Sequence, residues 1–166
     1  MLTDAFRQQK EMNMAAPIKH ILTAIATVCT IISLSTAHAA DEPENIIKFR
    51  QNVMKGNGAH ITNIAAVVKG QVTITANLAA DAQAIADGLE NFGKLFPTGT
   101  EGGKTNALAK IWDDRAGFDK ALADAQDAAE NMIGAAASND IATIGKALGA
   151  LGKSCGGCHK PYRKKM

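Results

Sequence analysis

The segment Ser138-Asn139-Asp140-Ile141-Ala142-Thr143-Ile144-Gly145-Lys146-Ala147-Leu148-Gly149-Ala150-Leu151-Gly152-Lys153-Ser154-Cys155-Gly156-Gly157-Cys158-His159 lies near the end of a 166-residue chain and carries two readings at once. Ser138, Asn139 and Asp140 are capping residue types, and Ile141, Ile144, Leu148 and Leu151 recur at three- and four-residue intervals, so the segment reads as an amphipathic helix. That helix runs into Cys155-Gly156-Gly157-Cys158-His159. Two thiols at i and i+3 can each form a thioether to one vinyl group of a single porphyrin, and the next residue presents an imidazole to the iron from the same side. The pattern predicts one covalent haem c, attached through Cys155 and Cys158 with His159 as iron ligand.

Two other chemistries use a C-x-x-C pair. Zinc needs about four ligands, and outside the motif the chain offers only Cys29, His20, His38 and His60; the first three lie in a segment expected to be removed. A dithiol oxidoreductase places its pair after a strand at the start of a βαβ unit, whereas this pair closes a helical C-terminus.

Residues 1–39 read as an export signal. Lys19 and His20 precede an apolar run over 21–34, and Ala37-His38-Ala39 supplies small residues at alternate positions for a signal peptidase. The mature chain is expected to begin at Ala40, with Cys29 lost with the leader. The run is short for a membrane span, and an uncleaved anchor is the alternative. Lipid attachment at Cys29 is disfavoured by Val28, and Met12 or Met14 would give a more ordinary start than Met1. Export agrees with covalent haem attachment, which in bacteria takes place outside the inner membrane, so the expected location is the periplasm.

Residues 40–166 form one expected domain. Net charge over the whole chain is +2 and aromatic content is 4%, without the dense basic patch of a nucleic-acid binder. An alanine-rich composition with short β-branched runs favours helices. The first is predicted over about 44–68, with Ile46, Val53, Met54, Ile61, Ile64 and Val68 on its apolar face and Gly70 as left-handed cap. The second covers about 76–95 and is stopped by Pro97 and the glycine-rich stretch 98–103. The third starts near Asp113 or Asp114 and ends near Ala137; the fourth follows Asp140. Four such helices with one long connection describe an all-α, antiparallel four-helix bundle. Its core of small residues leaves volume for a large planar guest.

His159 occupies one side of the iron, and the other side can be vacant or hold a thioether or imidazole. Met54, Met132, Met166 and His60 are the available residues. Met54 stands on the apolar face of the first helix, four residues after Arg50, so a sulfur aimed at iron would bring the guanidinium near the haem edge. Met54 as core filler and Arg50 as a solvated surface charge is the competing reading. His60 lies about 240° around the helix from Met54 and cannot face the same point. Met132 reads as core.

Over residues 42–166 the chain resembles the class II cytochromes c, the cytochrome c′ family, through Ile47-Lys48-Phe49-Arg50-Gln51, Val68-Lys69-Gly70, Phe96 followed by 99–103, Ile111-Trp112, the haem motif and Tyr162-Arg163-Lys164-Lys165. The resemblance implies haem thioethers at Cys155 and Cys158, proximal ligation by His159, and Arg50 and Arg163 at the haem periphery. Arg163 lies four residues after His159, a spacing that keeps it close to the haem if the helix continues, and Pro161 argues against an intact final turn. In one branch of the family an apolar residue five places after the first-helix aromatic closes the distal face and leaves iron that binds nitric oxide or carbon monoxide. Here Phe49 is followed at that distance by Met54, which looks like the low-spin branch, with Met54 as distal ligand.

The resulting expectation is a periplasmic monohaem electron carrier, not an enzyme. Lys153, Lys160, Lys164 and Lys165 would either steer an acidic redox partner or only solvate a helix end. The alternative is a high-spin protein with an open or displaceable distal site for diatomic gases. Neither nucleic acid nor a membrane span of the mature chain is expected, and a homodimer through the first two helices is left open.

Overall fold

Two aspartates start the two C-terminal helices. Asp114 accepts a hydrogen bond from the Gly117 amide, and Asp140 accepts from the amides of Ala142 and Thr143; each satisfies helix-end donors that would otherwise lack partners. The computed structural model describes residues 41–165. Among them are five α-helices: α1 (Pro43–Val68), α2 (Leu78–Glu90), α3 (Lys110–Asp113), α4 (Arg115–Ala137) and α5 (Ile141–Tyr162). The chain divides between Ala39 and Ala40. The leader reading for residues 1–39, with Cys29, His20 and His38, and the placement of Ala40 and Met166 fall outside the described residues.

The four long helices pack in a closed ring, α1 on α2, α2 on α4, α4 on α5 and α5 back on α1. Contacts give their directions. Between α1 and α2, His60 and Asn63 both reach Asp81, while Asn57 meets Gly88, so residue numbers rise on one helix as they fall on the other. Between α2 and α4, Gln126 reaches the Leu89 carbonyl, and Gly93 just beyond α2 meets Leu122. The bundle is antiparallel, as the sequence pattern predicts.

Ile64, Ala82, Ile85, Ala129, Met132, Ile144 and Leu151 are fully buried along its axis, with Ala86, Ala125, Ala135 and Ala136 beside them. Burial of each large aliphatic or aromatic side chain contributes about 1.5–3 kcal/mol. Met132 is core, in agreement with the sequence. At the end of α1, Gly70 takes a φ of 68°, the left-handed cap expected there.

Three local features differ from the sequence expectation. The second helix does not continue to residue 95: α2 ends at Glu90, and a tighter 3₁₀ turn, Phe92–Leu95, follows. That turn lets the Phe92 and Phe96 rings meet edge-on at 5.3 Å, an arrangement aromatic quadrupoles favour. The stretch around Ile111-Trp112 is itself a helical turn, α3. Pro161 does not interrupt α5, which runs through it to Tyr162. Proline so near a helix end removes a single backbone bond, and the turn is closed beyond it by the Arg163 amide donating to the His159 carbonyl at 3.0 Å.

No described helix is long and apolar enough to cross a membrane.

Candidate haem site

The inward stripe of α1 reads Ile47, Arg50, Met54, Asn57, Ile61, Ile64. Ile47, Arg50, Asn57 and Ile64 are buried, while Met54 and Ile61 are half-buried. The inward stripe of α5 is also buried only in part. Leu151 and Tyr162 are buried, while Cys155, Cys158 and His159 between them are half-buried. Met54, Cys155 and Cys158 all pack against the one hydrophobic core.

A contact farther along the two helices sets their register. A Cβ on Gly145 of α5 would lie 3.3 Å from Cγ1 of Val68 on α1. Met54 lies fourteen residues before Val68, and His159 fourteen residues after Gly145. On antiparallel helices rising 1.5 Å per residue, both are about 21 Å from that contact in the same direction. Met54 is therefore level with His159 on facing helices, and both are half-buried.

The donor set suits a covalent haem. Cys155 and Cys158 are free thiols one helical turn apart. Burial raises the pKa of both, with Cys155 adding to the rise at Cys158. Among the described residues no cluster of three or more His, Cys, Asp or Glu side chains could hold a metal ion. Side chains added at Gly156 or Gly157 would meet nothing within 4 Å. A groove of about 400 Å³ lined by Ala121, Ala128, Ala150, Gly157 and Cys158, among others, opens beside the motif. Burial first, and then the Arg163 charge, lower the pKa of His159, favouring the neutral imidazole that iron ligation requires.

Arg163 thus stands next to His159, as the sequence spacing suggests. Arg50, expected at the haem periphery or else as a solvated charge, is 3% exposed, and the solvated reading is corrected. Its Nη1 donates to the Leu95 carbonyl at 3.3 Å and to Thr100 Oγ1 at 2.9 Å; its Nη2 donates to the Thr100 carbonyl at 2.8 Å and to Thr105 Oγ1 at 3.1 Å. The guanidinium also lies 4.7 Å from the centre of the Phe96 ring and 5.7 Å from that of Trp112, within cation–π range. Burial lowers its pKa, and Glu101 partly offsets this. The arrangement ties the long connection before α3 to α1, one turn from Met54.

His60 forms a contact of 2.7 Å with Asp81 across the α1–α2 seam, away from the level shared by Met54 and His159. The sequence reading passed over one polar pair near the haem motif. Tyr162, 6% exposed, donates its hydroxyl to Asp114 Oδ2 at 2.8 Å. Its pKa is pushed up to about 12 by burial and then by Asp114, while the same bond, ahead of the Gly117 amide, holds the Asp114 pKa down. Aspartate at a helix start and tyrosine just after a haem motif were both visible in the sequence; their meeting across 48 residues was not.

A four-helix bundle with a haem-attachment motif on its last helix defines a class of small haem proteins. Residues 45–163 match the family model described as Cytochrome C′, and the chain belongs to the cytochrome c′ family. It is 39% identical over 123 residues to cytochrome c′ of Pararhodospirillum photometricum, covering 74% of this chain and 98% of that protein. A nitric oxide complex of a single-residue variant of cytochrome c prime from Alcaligenes xylosoxidans superposes with a TM-score of 0.70 at 32% identity, over 75% of this chain and 98% of that one. A carbon monoxide-bound variant of the same protein gives 0.69 at 33% identity and the same coverage. Family members bind one covalent haem c and are carriers or gas-binding proteins rather than typical enzymes.

Proposed function

We propose that this chain is an exported, periplasmic monohaem cytochrome c′ that binds a diatomic gas, nitric oxide or carbon monoxide, on the α1 side of its haem. Cys155 and Cys158 would hold the porphyrin through thioethers, and His159 would ligate the iron from α5. When bound, the haem supplies a redox-active iron with a coordination position for a small ligand. Met54 would bound that position from α1, with Arg163 beside His159.

The observation that carries this reading is the half-buried Met54 level with His159. Partly buried against the core, it would bound the distal side without sealing it. The nitric oxide and carbon monoxide complexes of the Alcaligenes xylosoxidans relative support the choice of ligand class. A second reading rests on the Met54 thioether, which ferric and ferrous iron both accept. With Met54 bound permanently, the protein would be an electron carrier serving redox partners.

The visible spectrum of the reduced holoprotein, before and after carbon monoxide, separates the two. Broad high-spin bands and immediate carbon monoxide binding are expected. Sharp, split low-spin bands that resist carbon monoxide would overturn gas binding in favour of the carrier. Met54→Leu sharpens the contrast: the variant stays high-spin under the proposal, but changes from low to high spin if Met54 is a fixed ligand.

A further inference from the structure

The turn of α5 that carries His159 is anchored well beyond its own backbone. The Arg163 amide closes the turn on the His159 carbonyl, the Leu108 amide donates to the Tyr162 carbonyl at 3.0 Å, and the Lys164 amide donates to the Asn106 carbonyl at 2.8 Å. Ala107 and Arg163 form an antiparallel bridge. The only side-chain hydrogen bond from this turn to another helix start is that of Tyr162 to Asp114 among the described residues.

Asp114 serves two donors with its two oxygens. Oδ1 accepts from the Gly117 amide at 3.2 Å, capping α4, while Oδ2 accepts from Tyr162. The space they share exists because residue 117 is glycine. A Cβ there would lie 2.5 Å from both Asp114 Oδ2 and the Tyr162 hydroxyl, far inside contact distance. The Tyr162 ring is held in turn by Phe118 of the same α4 turn, edge-on at 5.5 Å. The Asp114 cap and two residues of α4, Gly117 and Phe118, are thus shaped around one side chain that follows His159 by three positions.

We propose that Tyr162 and Asp114 are positioning residues for the proximal side of the haem: their hydrogen bond fixes the last turn of α5 against the α4 cap and so sets how the His159 imidazole meets the iron. The proposal rests on His159 as the iron ligand. Each acts through the backbone of the turn it holds. Loss of the bond frees the turn to shift, and the strength of the iron–histidine bond shifts with it.

The test uses ferrous holoprotein and the iron–histidine stretching band in resonance Raman spectra, with the reduction potential measured in parallel. Tyr162→Phe keeps the ring and removes the donor. Asp114→Asn keeps a cap but offers one carbonyl oxygen to two donors, and Gly117→Ala crowds the bond. All three are expected to move the band in the same direction, with Tyr162→Phe/Asp114→Asn moving it no further than the larger single shift. A folded Tyr162→Phe protein with lowered melting temperature but an unmoved band and potential would overturn the proposal, leaving the pair a structural brace. If Tyr162→Phe yields no folded holoprotein, Asp114→Asn decides by the same two criteria. Absence of the band from a high-spin wild type would instead remove His159 ligation, and the proposal with it; absence from a low-spin wild type would mean that Met54 also binds the iron, and the reduction potential then decides by the same criterion.

Discussion

Arg50 and Thr100, fifty residues apart, are joined twice, Nη1 to Oγ1 at 2.9 Å and Nη2 to the carbonyl at 2.8 Å. Both bonds are charge-assisted and buried, and the planar guanidinium matches two acceptors in a way an ammonium cannot. Arg50→Lys is therefore expected to destabilise the bundle by about 2–3 kcal/mol, on the scale of hydrogen bonds to charged groups. Urea denaturation measures this, and a loss near zero would mean that the long connection does not depend on Arg50.

Phe118 is 2% exposed and meets Phe96 at 4.9 Å and Tyr162 at 5.5 Å. Phe118→Ala should cost about 3–5 kcal/mol, the range for large cavities in packed cores. It should also loosen the α5 end, detectable as faster amide exchange at residues 159–163 than at the α1–α2 seam.

Asp140 is held below the ordinary carboxyl value of 3.8 by the Thr143 side chain, then by the Thr143 and Ala142 amides. A carboxyl whose pKa is lowered by folding adds stability above its unfolded pKa and loses it as pH falls through the lower folded value. Asp140→Asn should accordingly melt below the wild type at neutral pH, with the gap closing as pH drops below 3.8. A gap independent of pH would show that the charge contributes nothing beyond the cap.

Covalent attachment predicts a specific loss. Haem should stay with the wild-type polypeptide through acid–acetone extraction and add its mass in mass spectrometry, whereas Cys155→Ala/Cys158→Ala should yield a chain without added mass. Retention of haem mass by the double variant would place the linkage elsewhere.

The helices were legible in the sequence wherever their ends are marked by side chains that act locally. Asp114 and Asp140 announce α4 and α5, and Gly70 ends α1, because capping chemistry involves only the next few residues. The split of the second helix was hidden: its cause is the meeting of Phe92 with Phe96 and of Trp112 Nε1 with the carbonyls of Phe96 and Pro97, contacts that exist only after the connection folds back. Arg50 misleads for the same reason. An arginine on a helix reads as surface until loop oxygens from residues 95, 100 and 105 arrive to satisfy it. The haem motif is legible because its spacing is local chemistry. The level of Met54 against His159 required the packing of Gly145 on Val68 to be known.

That packing joins the first helix to the last. Met54 and His159 are 105 positions apart in the chain, so α1 and the turn that carries the haem motif come together only when the least local seam of the bundle has closed. Ring closure over such a span costs entropy that grows slowly with its length and is recovered by contacts made at the end. A chromophore joined to α5 and covered by α1 would therefore report on the assembly of its own container: the absorption of the haem would register, in the finished molecule and in any partly opened one, whether the two termini of the fold have met.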